Sequence, residues 1–256
     1  MAESGQSSVK SFDARYYSKA PITEAVIDIS IEPPEGFDLG SSKQLFVDAF
    51  KPAYSFKDSV HKKEFQISLK KDDHKTVTSQ HLDRHRFIDP TEKNIIQVKN
   101  NGFSFSRLAP YEKWEVFSAE AKKNWEIYRA LLEINKITRL AVRYINKIDI
   151  PTSADFNLYL RTYPEISKSM SQGISSFFMQ VQLPQDDISC TALINQTIVP
   201  SPTPLIGSVL LDIDLFRTFE LGFNEKEIWE FFEVLRRRKD EIFEACITDL
   251  VREDIK

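Results

Sequence analysis

Alternation of apolar and polar residues dominates the first hundred positions and predicts strands. EAVIDISIE (Glu24–Glu32) is rich in β-branched residues and stops at Pro33-Pro34. Ser41 or Ser42 is expected to cap a short helix running to Phe50, with Leu45, Phe46 and Phe50 inward. EFQISLK (Glu64–Lys70), HRFID (His85–Asp89) and NIIQVK (Asn94–Lys99) read as further strands, the last two separated by a turn at Pro90. Asn100-Asn101-Gly102 is a hairpin signal, and FSFSRL (Phe103–Leu108) is the returning strand. The period then changes. Beyond Pro110, the residues Trp114, Phe117, Ala121, Trp125, Tyr128 and Leu132 recur at steps of three and four, which predicts a long helix ending near Asn135.

The second half repeats the style. RLAVRYINKIDI (Arg139–Ile150) predicts a long strand stopped by Pro151, with Leu140, Val142, Tyr144, Ile148 and Ile150 on one face and Arg143, Lys147 and Asp149 on the other. A short helix near Phe156–Arg161 and a Ser-rich loop at Ser167–Ser175 precede strands at Ser176–Leu183, Cys190–Val199 and Ser208–Phe216. A last helix from about Glu225 carries an apolar face of Ile228, Phe232, Leu235, Ile242, Cys246 and Leu250. Placing Pro33 on Pro151 also puts Trp114 on Phe232, Phe117 on Leu235 and Trp125 on Phe243. The expected fold is therefore α+β, with antiparallel sheets each covered by a long helix. Two similar β-α-β-β-β-α halves, as an internal duplication would leave, make up the chain. The expected boundaries are a flexible tail over 1–18, a first half over 19–136 and a second over 137–256, the halves packed as one unit.

Composition narrows the function classes. Seven glycines in 256 residues are too widely spaced for GxGxxG or GxxxxGK, so a phosphate-cradling glycine loop is excluded. A net charge of −4 disfavours a nucleic-acid partner, because such partners reward a basic field. No apolar run approaches a membrane span, and MAESGQSSVKSFDARYYSKA lacks the apolar core of a signal peptide. Cys190 and Cys246 do not make a disulfide framework and read as buried thiols of a reducing cytoplasm. The aromatic residues fall at helical spacings that assign them to a core, not to base-stacking platforms.

Four groups of residues could carry chemistry. Asp212 and Asp214 would point to one face of a strand, about 7 Å apart, and paired strand carboxylates can hold Mg²⁺ or Mn²⁺ for phosphoryl chemistry. Asp28 and Asp149 could join them if their strands are neighbours; the competing reading is a half-exposed sheet face whose carboxylates pair with Arg143 and Lys147. His81, Asp83 and His85 alternate, and imidazoles with a carboxylate suit zinc or iron. Their polar surroundings read as a solvated hairpin tip, so no metal is expected there. Arg107, just before a helix N-terminus, could meet an anion together with Tyr111 and Arg143, or could pair with Glu112 or Glu115 and lock the corner. Arg236-Arg237-Arg238-Lys239 spreads about 300° around a helix, which reads as a solvated face with local ion pairs.

PITEAVIDI (Pro21–Ile29), GFSFSRLAPYEKW (Gly102–Trp114), RYINKIDIP (Arg143–Pro151), LDIDLF (Leu211–Phe216) and IFEACITDLVRED (Ile242–Asp254) together resemble an uncharacterised, sporadically distributed family of prokaryotic conserved hypothetical proteins. The resemblance implies a whole-chain prokaryotic unit and brings no catalytic residue or cofactor with it. The functional expectation is a non-enzymatic binding or interaction protein, an accessory component of a prokaryotic multi-protein system. Its partner is expected to be protein and not a membrane; self-association stays open. The alternative is a metal-dependent phosphoesterase or nuclease on the strand carboxylates, and only that alternative calls for Mg or Mn.

Overall fold

The computed structural model describes residues 15–70, 73–167, 169–170, 173–201, 203–219 and 227–256, with 64–70 and 73–78 described by backbone alone. Most of the expected tail and the onset of the last helix near Glu225 lie outside the described residues. The strands are β1 (Ile22–Ile31), β2 (Ser55–Lys70), β3 (Asp73–Ile88), β4 (Asn94–Lys99), β5 (Gly102–Leu108), β6 (Ile137–Pro151), β7 (Phe178–Gln185), β8 (Cys190–Val199) and β9 (Ile206–Thr218). The helices are α1 (Lys43–Phe50), α2 (Trp114–Leu131), α3 (Ile228–Cys246) and α4 (Asp249–Asp254). None is long and apolar enough to cross a membrane.

The expected pair of sheets, each under its own helix, is not what forms. All nine strands make one antiparallel sheet in the order β2-β3-β4-β5-β1-β6-β9-β8-β7. The reason is the pairing of β1 with β6, the strands expected to open the two separate halves. Ala25 lies opposite Tyr144, Ile27 opposite Val142 and Ile29 opposite Leu140. That pairing leaves neither β1 nor β6 as an edge, so a single sheet forms where two were expected. From that pairing the order runs outward through β5, β4, β3 and β2 on one side and through β9, β8 and β7 on the other.

Alternation then decides the layers. Ala25, Ile27, Ile29, Phe103, Phe105, Leu140, Val142, Tyr144, Leu211, Ile213 and Leu215 are all buried, and the helices pack on this face. α2 lays Phe117, Ala121, Trp125 and Tyr128 against it, and α3 adds Ile228, Phe232, Leu235 and Phe243. Aromatic stacking continues through the layer, with Phe103 at 5.9 Å from Trp125 and 5.5 Å from Tyr128.

Local details depart from expectation for readable reasons. Ser42 makes no side-chain cap; Asp38 instead accepts the Ser41 amide at 2.8 Å, and Leu45 faces solvent while Phe46 and Phe50 are buried. Gly102 is required at its turn, since a Cβ there would sit 2.3 Å from the Ile29 carbonyl oxygen. The His81–His85 stretch is not a loop tip. It belongs to the 16-residue strand β3, paired along its length with β2.

Candidate functional site

The residues alternate to those of the core on β1, β5, β6 and β9 form the other face of the sheet, and three of the four candidate carboxylates meet there. Asp212 accepts two bonds from Arg143, Nε to Oδ1 at 2.8 Å and Nη2 to Oδ2 at 2.7 Å, and a third from Asn195 at 3.1 Å. Arg143 lies directly opposite Asp214 in the ladder yet reaches one pleat along to Asp212. Asp214 is held by Arg139, whose Nη2 donates to it at 3.0 Å while Nη1 donates to Asp28 at 3.1 Å. Asp28 also accepts from Ser104 at 2.9 Å and from Lys99. The Arg139 guanidinium lies 4.6 Å from the Phe216 ring centroid. Three carboxylates are thus answered by three cations, Lys99, Arg139 and Arg143.

The two carboxylates sharing Arg139 are perturbed in opposite directions. Burial pushes Asp28 up, but Lys99 and Arg139 more than reverse this and hold it below the usual range. Burial also raises Asp214; Arg139 and Arg143 pull against it, Asp28 and Asp212 push with it, and the net result is upward.

The other sequence candidates are scattered. Asp149 accepts from Ser208 at 2.6 Å and pairs with Lys147 at 3.4 Å. It is level with Ser208, four residues and so about 13 Å along β9 from Asp212. Arg107 bonds Asn94 at 3.2 Å and Glu112 at 3.0 Å, which locks the corner between β5 and α2. Tyr111 lies on the helix side of the sheet and Arg143 on the opposite side, so these three do not converge. His85 is buried with both ring nitrogens engaged, Nδ1 with Ser59 at 2.8 Å and Nε2 with the Leu39 carbonyl at 3.0 Å. Burial lowers its pKa. Asp83 pairs with Lys62 at 2.9 Å and with Arg84. Among the described residues, no group of three or more His, Cys, Asp or Glu is placed to hold a metal ion.

A cleft of about 260 Å³ opens where the N-terminal strap (residues 15–22), the start of α2 and the middle of α3 meet above β6. The strap is tied down by backbone bonds in its second half: Lys19 donates its amide to the Ile255 carbonyl at 3.0 Å, and Pro21 accepts from the Lys147 amide at 2.8 Å. Tyr17 donates to Glu244, which also takes Arg252 Nε at 2.6 Å. On the floor, the Tyr111 and Tyr144 hydroxyls are 3.0 Å apart. Lys239 Nζ lies 3.7 Å from the Tyr144 ring centroid and is paired with Asp240. Burial drives the Lys239 ammonium down against the opposing pull of Asp240, and it raises both tyrosines. A larger hollow of about 640 Å³ beside Phe156, Ile174 and Ile198 has, among the described residues, the exposed Asp155 and Glu165 as its charged lining groups. The smaller cleft is therefore the better candidate, because buried polar groups converge there.

The basic run on α3 divides accordingly. Arg238 bonds Gln185 at 2.7 Å and Asp187, Arg236 pairs with Asp240 at 3.5 Å, Arg237 is exposed and Lys239 is buried. Lys239, read from the sequence as part of a solvated basic face, is instead buried, and its position carried the signal. It stands four residues after Leu235 and three before Ile242, filling the one gap in the apolar stripe of α3. Tyr144 was assigned only to the core, and its hydroxyl contact with Tyr111 depends on a fold that brings β6 under α2. Compared with known proteins, the chain matches no protein-family model and no curated protein.

Proposed function

We propose that the protein is a non-enzymatic binding or interaction protein, working in the cytoplasm as an accessory component of a prokaryotic multi-protein system. The observation that supports this most directly is the pairing of Asp28, Asp212 and Asp214 with Lys99, Arg139 and Arg143. A phosphoesterase needs carboxylate oxygens turned toward a divalent cation and its bound water. Here those oxygens are turned toward fixed cations of the protein itself. The cleft fits the same reading: its lining mixes Tyr16, Tyr17, Tyr111, Trp114 and Tyr144 with charges of both signs, a surface suited to recognition. Cys190 and Cys246 offer no nucleophile, since both thiols are buried and pushed up to about 11.

Two measurements test the reading. The protein is assayed for hydrolysis of bis(p-nitrophenyl) phosphate with millimolar Mn²⁺ or Mg²⁺, and no turnover is expected. Metal-dependent hydrolysis that disappears in Asp212→Ala would replace this reading with the phosphoesterase. Crosslinking in the host cell followed by mass spectrometry is expected to join the chain to a second protein. Crosslinks confined to the chain and its own copies would remove the accessory role.

A further inference from the structure

The sheet has two edges, and they are finished differently. β2 turns Lys57, His61, Lys62 and Lys63 to solvent, a run of charge and polarity of the kind that discourages edge pairing. β7, at the opposite edge, has the sequence FMQVQLPQ and carries no charge. Phe178 is 70 % exposed and Leu183 40 %. Among the described residues no strand pairs with its outer side, and such an edge invites another strand.

Geometry fixes which groups it offers. β7 pairs with β8 from Phe178 opposite Thr197 to Gln185 opposite Cys190. Pro184 has no N–H, so it cannot occupy a hydrogen-bonded position in that ladder. Residues 179, 181, 183 and 185 therefore bond to β8, and 178, 180 and 182 direct their backbone N–H and C=O groups outward. Side chains sort as well. Gln180 bonds Asn195 at 2.7 Å on the open face, and Gln185 accepts from Arg238 of α3 on the helix face. Met179, Val181 and Leu183 thus share the helix side.

We propose that β7 pairs with β7 of a second copy of this chain, antiparallel and centred on Val181. The segment Met-Gln-Val-Gln-Leu reads nearly the same in both directions, and this singles out a second copy as the occupant. A two-fold axis at Val181 sets Gln180 against the partner's Gln182 as a hydrogen-bonded pair, and Met179 against the partner's Leu183 on the helix side. The ladder ends at the next pair outward, where Pro184 has no N–H to offer the partner's Phe178, so pairing is confined to Met179–Leu183 of each copy. Apolar meets apolar, amide meets amide, and no like charges are opposed. This inference stands independently of the cleft and of the proposed accessory role.

Val181 and the partner's Val181 form a non-hydrogen-bonded pair, with Cα atoms about 4.5 Å apart, within disulfide reach. Val181→Cys is expected to give a disulfide-linked dimer under mild oxidation, read on a non-reducing gel. Wild type, whose two thiols are buried, and Asn195→Cys, one strand further in, are expected to stay uncrosslinked. In light scattering after size exclusion, wild type is expected to be a dimer. The doubly exposed pair Gln180→Lys with Gln182→Lys sets lysine against lysine and is expected to weaken dimerisation at least tenfold. Gln180→Glu with Gln182→Lys sets unlike charges opposite and is expected to restore it. Circular dichroism of each variant confirms that the fold is intact. A monomeric wild type, a dimer indifferent to the double lysine variant, or an uncrosslinked Val181→Cys would overturn the proposal.

Discussion

The two faces of the sheet are made by alternate residues of the same strands, and they solve burial in different ways. On the helix side Phe103, Trp125 and Tyr128 pack ring against ring, as do Phe105 and Phe117, and stability comes from area removed from water. On the open side Arg139 and Arg143 lie among Asp28, Asp212 and Asp214, and the polar groups are tolerable because each has a partner. The first arrangement contributes a large favourable term. The second mostly cancels a cost, so its members matter chiefly when one is removed.

The largest expected effect lies on the helix side. Phe103→Ala removes a fully buried ring that touches both Trp125 and Tyr128, and should cost about 3–5 kcal/mol in urea unfolding. A loss below about 1 kcal/mol would break the assignment of stability to this face. Next comes Arg139→Ala, which leaves Asp28 and Asp214 without their shared guanidinium. Since these side chains keep about a fifth of their exposure, the expected loss is about 2–3 kcal/mol, below that of a fully buried pair. Repeating the measurement at acid pH should shrink it as the carboxyls protonate.

A buried cation on the helix side sharpens the comparison. Lys239→Met keeps the length of the side chain and removes a buried ammonium that Tyr144 and Asp240 only partly repay. Stability should change by about 1 kcal/mol or less, in the stabilising direction, as when other buried charges give way to apolar groups of similar volume. A loss of several kcal/mol would show that Lys239 is needed to hold the Tyr111–Tyr144 floor of the cleft.

Much of the layering was legible in the sequence, because alternation in β1, β6 and β9 states which residues are buried. The merger of two sheets into one was not. It depends on β1 pairing with a strand more than a hundred residues away, and Ile27 opposite Val142 would have been equally content against another apolar strand. Polar composition misled at His81–His85, since an edge hairpin carries charge for the same reason a loop does. The aspartates were correctly placed on a common face by period two. Whether they faced a metal or an arginine depended on Arg139 and Arg143 arriving from β6, which spacing within β9 could not reveal.

The smallest expected effects separate Asp28 from Asp214, whose substitutions carry opposite signs. Asp28 is held below its ordinary value, so it contributes stability above the unfolded carboxylate range and loses it as pH falls through the depressed folded value. Asp28→Asn should therefore destabilise at neutral pH and converge on wild type in acid. Asp214 is raised, so its ionised form costs stability at neutral pH, and that cost fades as pH falls through the raised folded value. Asp214→Asn leaves Arg139 still paired with Asp28. It should be slightly more stable than wild type at pH 7, with the difference vanishing in acid. Urea unfolding of the two variants from pH 7 down to pH 3 reads both signs directly. An Asp214→Asn protein less stable than wild type at pH 7 would mean that Arg139 more than repays the burial of this carboxyl, and the open face would then contribute stability instead of only balancing its own cost.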